Sequence, residues 1–144
     1  MRAVRDTCPY PLKQQAGVVK MKIVAQVLDG TYGKPAVGVR AFFSRASGNG
    51  WATVAEAETS RDGCIEDWES WHLERGLYRI VFDSDSYFAG LGAVSAYPEV
   101  TVIFRIQNES VTFQVQVMLS AYSYSTYFGT LDGQRETQRN GDSL

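Results

Sequence analysis

The residues with the most evident chemistry lie in one stretch near the end of the chain, from Thr112 to Thr130. Gln114 and Gln116 alternate there with apolar residues, as side chains do along the polar side of a β-strand. A run rich in serine and tyrosine follows, and its tyrosines carry hydroxyls on apolar rings. A carboxamide neither accepts a proton at neutral pH nor carries charge. This polar row is therefore typical of a solvated strand face or of the floor of a binding site.

Composition excludes several classes of function. The chain has 144 residues and a formal net charge of −2, and without a cluster of lysines and arginines it is not expected to bind nucleic acid. No apolar run approaches the roughly 20 residues that span a bilayer, and the N-terminus lacks the apolar core of a secretory signal. His72 is the single histidine, so we expect no metal site and no cofactor.

The two cysteines, Cys8 and Cys64, match neither zinc spacing nor a disulfide framework. A chain without disulfides is typical of a reducing compartment. We therefore predict a cytoplasmic protein in which Cys64 is a buried thiol or a nucleophile.

The elements that must position these residues are short strands separated by turns. The pattern predicts strands over 21–28, 37–45, 51–59, 76–82, 99–107 and from 112 onward, with one short helix over 84–91. Several short strands with turn punctuation indicate an all-β sandwich with one short helix. We predict a flexible N-terminal extension at 1–20, one domain at 21–130 and a polar, disordered tail at 131–144.

The order of motifs from residue 26 to residue 130 resembles the transthyretin-like 5-hydroxyisourate hydrolase family. The matching segments are Gln26-Val27-Leu28-Asp29, Gly33-Lys34-Pro35-Ala36, Thr59-Ser60-Arg61-Asp62-Gly63-Cys64, Gly76-Leu77-Tyr78-Arg79, Tyr97-Pro98-Glu99-Val100 and Tyr124-Ser125-Thr126-Tyr127-Phe128-Gly129-Thr130. The resemblance implies a transthyretin-like sandwich of two antiparallel sheets. It also implies a homotetramer with sites at the dimer–dimer interface, and it makes a peroxisomal location an option.

The resemblance includes the residues that build the scaffold, but it does not include the residues that carry out catalysis in the family. In the family, catalysis rests on a first-strand histidine, an arginine after Asp-Gly, a last-strand histidine and a C-terminal tetrapeptide. The corresponding residues here are Gln26 and Cys64, Gln114 on the last strand, and Phe128 and Thr130 in place of the tetrapeptide's Arg and Ser. These exchanges remove the general base and the cations that hydrolysis of an anionic ring requires.

We therefore do not expect 5-hydroxyisourate hydrolysis. Arg61, three positions before Cys64, is a substitute cation only if its side chain turns away from solvent. With Tyr124 and Ser120 nearby, the site is expected to be neutral and partly apolar, which suits an apolar organic ligand held by shape and a few hydrogen bonds.

Two kinds of function fit such a site. The first is a cofactor-free cyclase, pericyclase of the Diels–Alderase type, or isomerase that folds a polyene or terpenoid of specialised metabolism into a reactive shape. Gln26, Gln114 and Cys64 would then be its catalytic residues, and Phe128, Thr130, Tyr124, Ser120 and Arg61 would bind the substrate. The alternative is a transthyretin-like small-molecule binding protein without turnover, or a residual hydrolase.

Overall fold

The computed structural model describes residues 22–66, 68, 73–107 and 112–131, and these ranges contain nine strands and one helix. The elements in chain order are β1 (Lys22–Asp29), β2 (Lys34–Pro35), β3 (Arg40–Ser47), β4 (Gly50–Glu58), β5 (Cys64–Ile65), β6 (Gly76–Phe82), α1 (Ser84–Gly90), β7 (Val100–Ile106), β8 (Thr112–Leu119) and β9 (Tyr124–Thr130). The predicted extension at 1–20, His72 and the tail after Leu131 lie outside the described residues.

The strands form two sheets, which confirms the predicted sandwich with one short helix. The first sheet runs β2-β1-β8-β9, with β5 also paired to β1, and the second runs β4-β3-β6-β7. All pairs are antiparallel except one, because β1 and β8 run parallel from Lys22↔Thr112 to Asp29↔Leu119. The glutamine-bearing strands predicted from the sequence are therefore direct neighbours at the centre of the first sheet.

The core lies between the sheets and follows from alternation along the strands. Alternate residues of β1, β6, β7 and β8 are fully buried, and an aromatic cluster joins the two sheets. Phe43 packs against Trp68, with ring centroids 5.0 Å apart, and Phe104 stacks on Phe128 at 4.7 Å. One side of each strand is thereby committed to the core, and the opposite side of the first sheet is left for the site.

Two segments differ from the predicted strands. The strand predicted over 37–45 begins only at Arg40, because Gly38 adopts φ +80° in a turn and leaves Val37 exposed. The Ser- and Tyr-rich run forms a further strand, β9, along the edge of β8. The predicted helix is confirmed at Ser84–Gly90. Asp83 caps its N-terminus, since the Asp83 carboxylate accepts from Ser86 N at 3.1 Å.

None of the helices in the part of the chain that the structure describes is long and apolar enough to cross a membrane.

Candidate functional site

The candidate site is the side of the first sheet that faces away from the core, which we call the glutamine face. It carries Gln26 of β1 and Gln114 and Gln116 of β8, because the residues between them on each strand belong to the core. Although this face is turned outward, Gln26 is 4% exposed and Gln114 is 9% exposed. Buried carboxamides need hydrogen-bond partners, from the protein or from a ligand.

The first of these partners lies within the face itself. Gln26 and Gln116 are Cα partners in the parallel ladder, and Gln116 Nε2 donates to Gln26 Oε1 over 2.8 Å. The sequence pointed to Gln26 and Gln114 as the functional pair, whereas the structure joins Gln26 to Gln116 by a side-chain hydrogen bond within this chain. Only the parallel register reveals this, and no pattern in the sequence indicates that register.

Cys64 lies next to Gln26 but has no thiol. It is the Cα partner of Gln26 across β5, is buried, and packs with Val24 and Leu131. Cys64 is disulfide-bonded, and the chain's other cysteine, Cys8, lies outside the described residues. The expectation of a chain without disulfides is therefore wrong. A sulfur held in a disulfide is not an attacking thiolate, so the nucleophile hypothesis for Cys64 fails, and the prediction of a reducing compartment loses its basis.

Tyr127 belongs to the tyrosine-rich run noted in the sequence, but it was not among the predicted site residues. It is the β9 partner of Gln116, and Gly129 is the partner of Gln114. A Cβ at Gly129 would lie 2.7 Å from Tyr127 Cζ and even closer to the phenol oxygen. The Tyr127 ring therefore lies over Gly129, which places its hydroxyl across the ladder from Gln114.

Three predicted binding residues lie on the other side of the same sheet. Phe128 stacks against Phe104 and Phe113 of the core. Tyr124 and Thr130 share its side of β9, since they pair with the core-facing residues Leu119 and Phe113. The structure thus does not bring Phe128, Tyr124 or Thr130 together with the glutamines.

The two remaining candidate residues, Ser120 and Arg61, lie at the margins of the glutamine face. Ser120 follows β8 on the side of the glutamines, and its Oγ would be 2.7 Å from a Cβ at Gly30. Arg61 is exposed in the turn before β5, as expected for a turn residue that faces solvent. Neither residue lies beside the Gln26–Gln116 pair.

Among the described residues, the centre of the glutamine face carries no charged side chain. The neighbours of the three glutamines along and across the strands are uncharged: Val24, Leu28, Thr112, Met118, Cys64, Ser125, Tyr127 and Gly129. In the described part of the chain, this side also carries two charged residues toward its margin, Lys22, opposite Thr112, and Glu66, two residues beyond Cys64. Within the described ranges, no group of three His, Cys, Asp or Glu residues could hold a metal ion.

The sandwich and its outward polar face define a transthyretin-type protein, and comparison with known proteins gives the family. The profile of the HIUase/Transthyretin family matches residues 23–129. The chain belongs to this family.

Several curated relatives carry the name of the hydrolase. The chain is 34% identical to 5-hydroxyisourate hydrolase of Salmonella dublin over 72% of this chain and 77% of that protein. It is also 34% identical to the mouse (Mus musculus) 5-hydroxyisourate hydrolase over 75% of this chain and 94% of that protein. The identity thus extends across most of the domain.

Solved structures of transthyretin share the fold. Transthyretin from Sparus aurata superposes with a TM-score of 0.71 at 25% identity, over 75% of this chain and 96% of that chain. Sea bream transthyretin in complex with thyroxine superposes with a TM-score of 0.72 at 25% identity, over 76% of this chain and 96% of that chain.

Proposed function

We propose that this protein binds a neutral small organic molecule on the glutamine face and releases it unchanged. The observation that carries this proposal is the hydrogen-bonded Gln26–Gln116 pair, with Gln114 beside it and, among the described residues, no charged side chain at their direct strand partners. Carboxamides orient a ligand through hydrogen bonds, but they do not transfer protons at neutral pH. A relative of the same fold, sea bream transthyretin, is known in complex with thyroxine.

Hydrolysis is the activity that the curated relatives' names would suggest. It requires a group that deprotonates water and a positive group that stabilises the developing charge. Glu66 is an acidic side chain on this side of the sheet, and it lies two residues beyond Cys64, toward the margin of the face. We therefore propose that hydrolysis of 5-hydroxyisourate is absent or weak.

The relatives named above are hydrolases and transthyretins, and nothing in their names supports the expected cyclase or isomerase activity, so binding without turnover is the better proposal. The predicted tetramer extends the proposal, because a second copy packed on the glutamine face would enclose the ligand between two sets of glutamines. Sites of that kind bury most of a small ligand's surface.

The direct test has two parts. Freshly generated 5-hydroxyisourate is followed by ultraviolet absorbance with and without the purified protein, and we expect the two decay rates to agree. The protein is then incubated with neutral aromatic ligands, and binding is measured by fluorescence before the ligand is recovered for mass spectrometry. We expect saturable binding and an unchanged ligand mass.

Two outcomes would overturn the proposal. Decay well above the spontaneous rate would establish a hydrolase, and Glu66→Gln would then show whether that carboxylate is the base. Conversion of a bound ligand into an isomer with a changed retention time would establish a cyclase or isomerase.

A further inference from the structure

Gln114 differs from the other two glutamines of the site. It is 9% exposed, yet its side chain has no hydrogen-bond partner among the described residues. The single buried side-chain polar atom without a partner in that part of the chain is Arg79 Nε. The polar atoms of Gln114 therefore keep contact with solvent at the surface of the site, where a ligand can reach them.

The surroundings of Gln114 restrict the direction from which a ligand arrives. Gln116, two positions along β8, is already bonded to Gln26, and residues two apart on a strand are separated by about 7 Å. On the other side, the Tyr127 ring covers Gly129, the direct partner of Gln114. The carboxamide thus lies between a bonded amide pair and the side of an aromatic ring.

We propose that Gln114 binds the cis-amide edge of a neutral planar ligand, a lactam or an imide, with the Tyr127 ring forming one wall. A carboxamide presents an N–H donor beside a C=O acceptor, which matches a ligand edge that has both groups in reverse order. Paired bonds of this kind are how Asn and Gln select adenine among the bases. This inference rests on the proposed function and names the ligand class for the same site.

The paired hydrogen bonds proposed for Gln114 also predict which ligands the site would bind weakly. A carboxylate offers acceptors only and would face the Gln114 carbonyl oxygen without a donor. A polyene offers neither donor nor acceptor. In both cases a mostly buried polar group loses water without gaining a partner, which weakens binding.

The first experiment compares matched ligands on unmodified full-length protein. The probes are 2-quinolone, which has a free lactam edge, N-methyl-2-quinolone, which lacks the donor, and quinoline-2-carboxylate, which is anionic. We expect 2-quinolone to bind about tenfold more tightly than the other two, the effect of one hydrogen-bonding arrangement at a buried partner. Equal dissociation constants for 2-quinolone and its N-methyl form would overturn the proposal.

The second experiment assigns the preference to Gln114. Gln114→Leu removes the donor and acceptor at similar volume, and Gln107→Leu is its control, since Gln107 is exposed beyond the end of β7. We expect Gln114→Leu to abolish the difference between the two quinolones and Gln107→Leu to retain it. A preference that survives in a folded Gln114→Leu variant would contradict the assignment.

A third titration distinguishes failure of the lactam proposal from failure of the proposed binding function. Nile red, a neutral apolar dye without a lactam N–H, is titrated into the same preparations. If Nile red binds saturably and is displaced by neither quinolone, the lactam proposal fails and neutral-ligand binding stands. If neither Nile red nor a quinolone binds, both proposals fail.

Discussion

At the scale of single residues, Asp29 is the most heavily bonded polar group near the site. Its Oδ1 accepts from the backbone N–H groups of Thr31 and Tyr32, both at 2.8 Å, and its Oδ2 accepts from the Tyr87 hydroxyl at 2.6 Å. The residue is 1% exposed. This carboxylate fastens helix α1 and the loop after β1 to the end of the sheet that carries Gln26.

We predict that Asp29→Asn lowers the free energy of unfolding by about 1–3 kcal/mol. Both carboxylate oxygens accept hydrogen bonds, and the substitution replaces one of them with an amide nitrogen, which cannot accept. Asp62→Asn is the control, since Asp62 is exposed in a turn and should change stability by less than about 0.5 kcal/mol. Urea denaturation followed by fluorescence measures both variants. Equal stabilities for the two would mean that the Asp29 bonds contribute little.

Tyr87 should make stability depend on alkaline pH. Burial raises its pKa above the ordinary 10.0, and the bond to Asp29 and that residue's charge add to the shift. Between the two pKa values the unfolded chain has released this proton and the folded chain still holds it. The contribution of Tyr87 is therefore complete below pH 10 and is lost as the pH rises above it.

The corresponding measurement is the free energy of unfolding from pH 8 to pH 11. We predict that Tyr87→Phe reduces the alkaline loss of stability, because the variant has no phenol to ionise at this position. Tyr122→Phe, at a site that is 73% exposed, should retain the loss seen in the unmodified protein. Identical slopes above pH 10 in both variants would contradict the prediction.

At the scale of elements, the turn before β5 fixes how Cys64 meets β1. Gly63 has φ +78°, and a Cβ there would lie 2.5 Å from the carbonyl oxygen of Val27. The Gly63 carbonyl also accepts from Val27 N at 2.8 Å. The turn thus depends on glycine twice, for its conformation and for the close approach of two backbones.

Gly92 provides a matched control, because it has φ +77° and no atom within 4 Å of an added Cβ. We predict that Gly63→Ala destabilises the fold by about 1–3 kcal/mol more than Gly92→Ala, the added cost of steric overlap with backbone. Thermal or urea unfolding of both variants gives the difference. Equal losses would show that conformation alone determines the cost at Gly63.

Elements also show how far the sequence predicts this fold. Strand β6 has the predicted bounds, 76–82, because strict alternation and a glycine mark them. Strand β9 was not predicted, because serines, tyrosines and threonines make up most of both its inward and its outward residues and give no clear period. The position of Phe128 depends on β9, which explains why the sequence placed it in the site and the structure places it in the core. The bond between Gln116 and Gln26 was also not predicted, because it depends on the parallel pairing of β1 with β8, which is a property of the fold.

At the scale of the whole molecule, the predicted tetramer is still a prediction, and the glutamine face gives a way to test it. Met118 lies on this face and is 44% exposed, and Ile103 is 55% exposed on the outer side of the second sheet. If sites form where two dimers meet on the glutamine face, a buried charge there would separate them.

We therefore predict that Met118→Glu converts tetramers to dimers and that Ile103→Glu leaves them intact. Analytical ultracentrifugation of the two variants and of the unmodified protein measures the assembly directly. Dissociation by Ile103→Glu alone would place the contact on the second sheet and leave the glutamine face open in the assembly.

The parallel pairing of β1 with β8 has a consequence for how the protein forms. These strands are neighbours in the sheet but distant in the sequence, since Gln26 and Gln116 are 90 positions apart along the chain. During synthesis, the edge of β1 that pairs with β8 stays unpaired until nearly the whole domain has left the ribosome. All-β domains that are rich in such distant pairings fold in about milliseconds to seconds. The glutamine face is therefore complete only after β8 has been synthesised, and a nascent chain that lacks β8 has neither Gln114 nor Gln116 to offer a ligand.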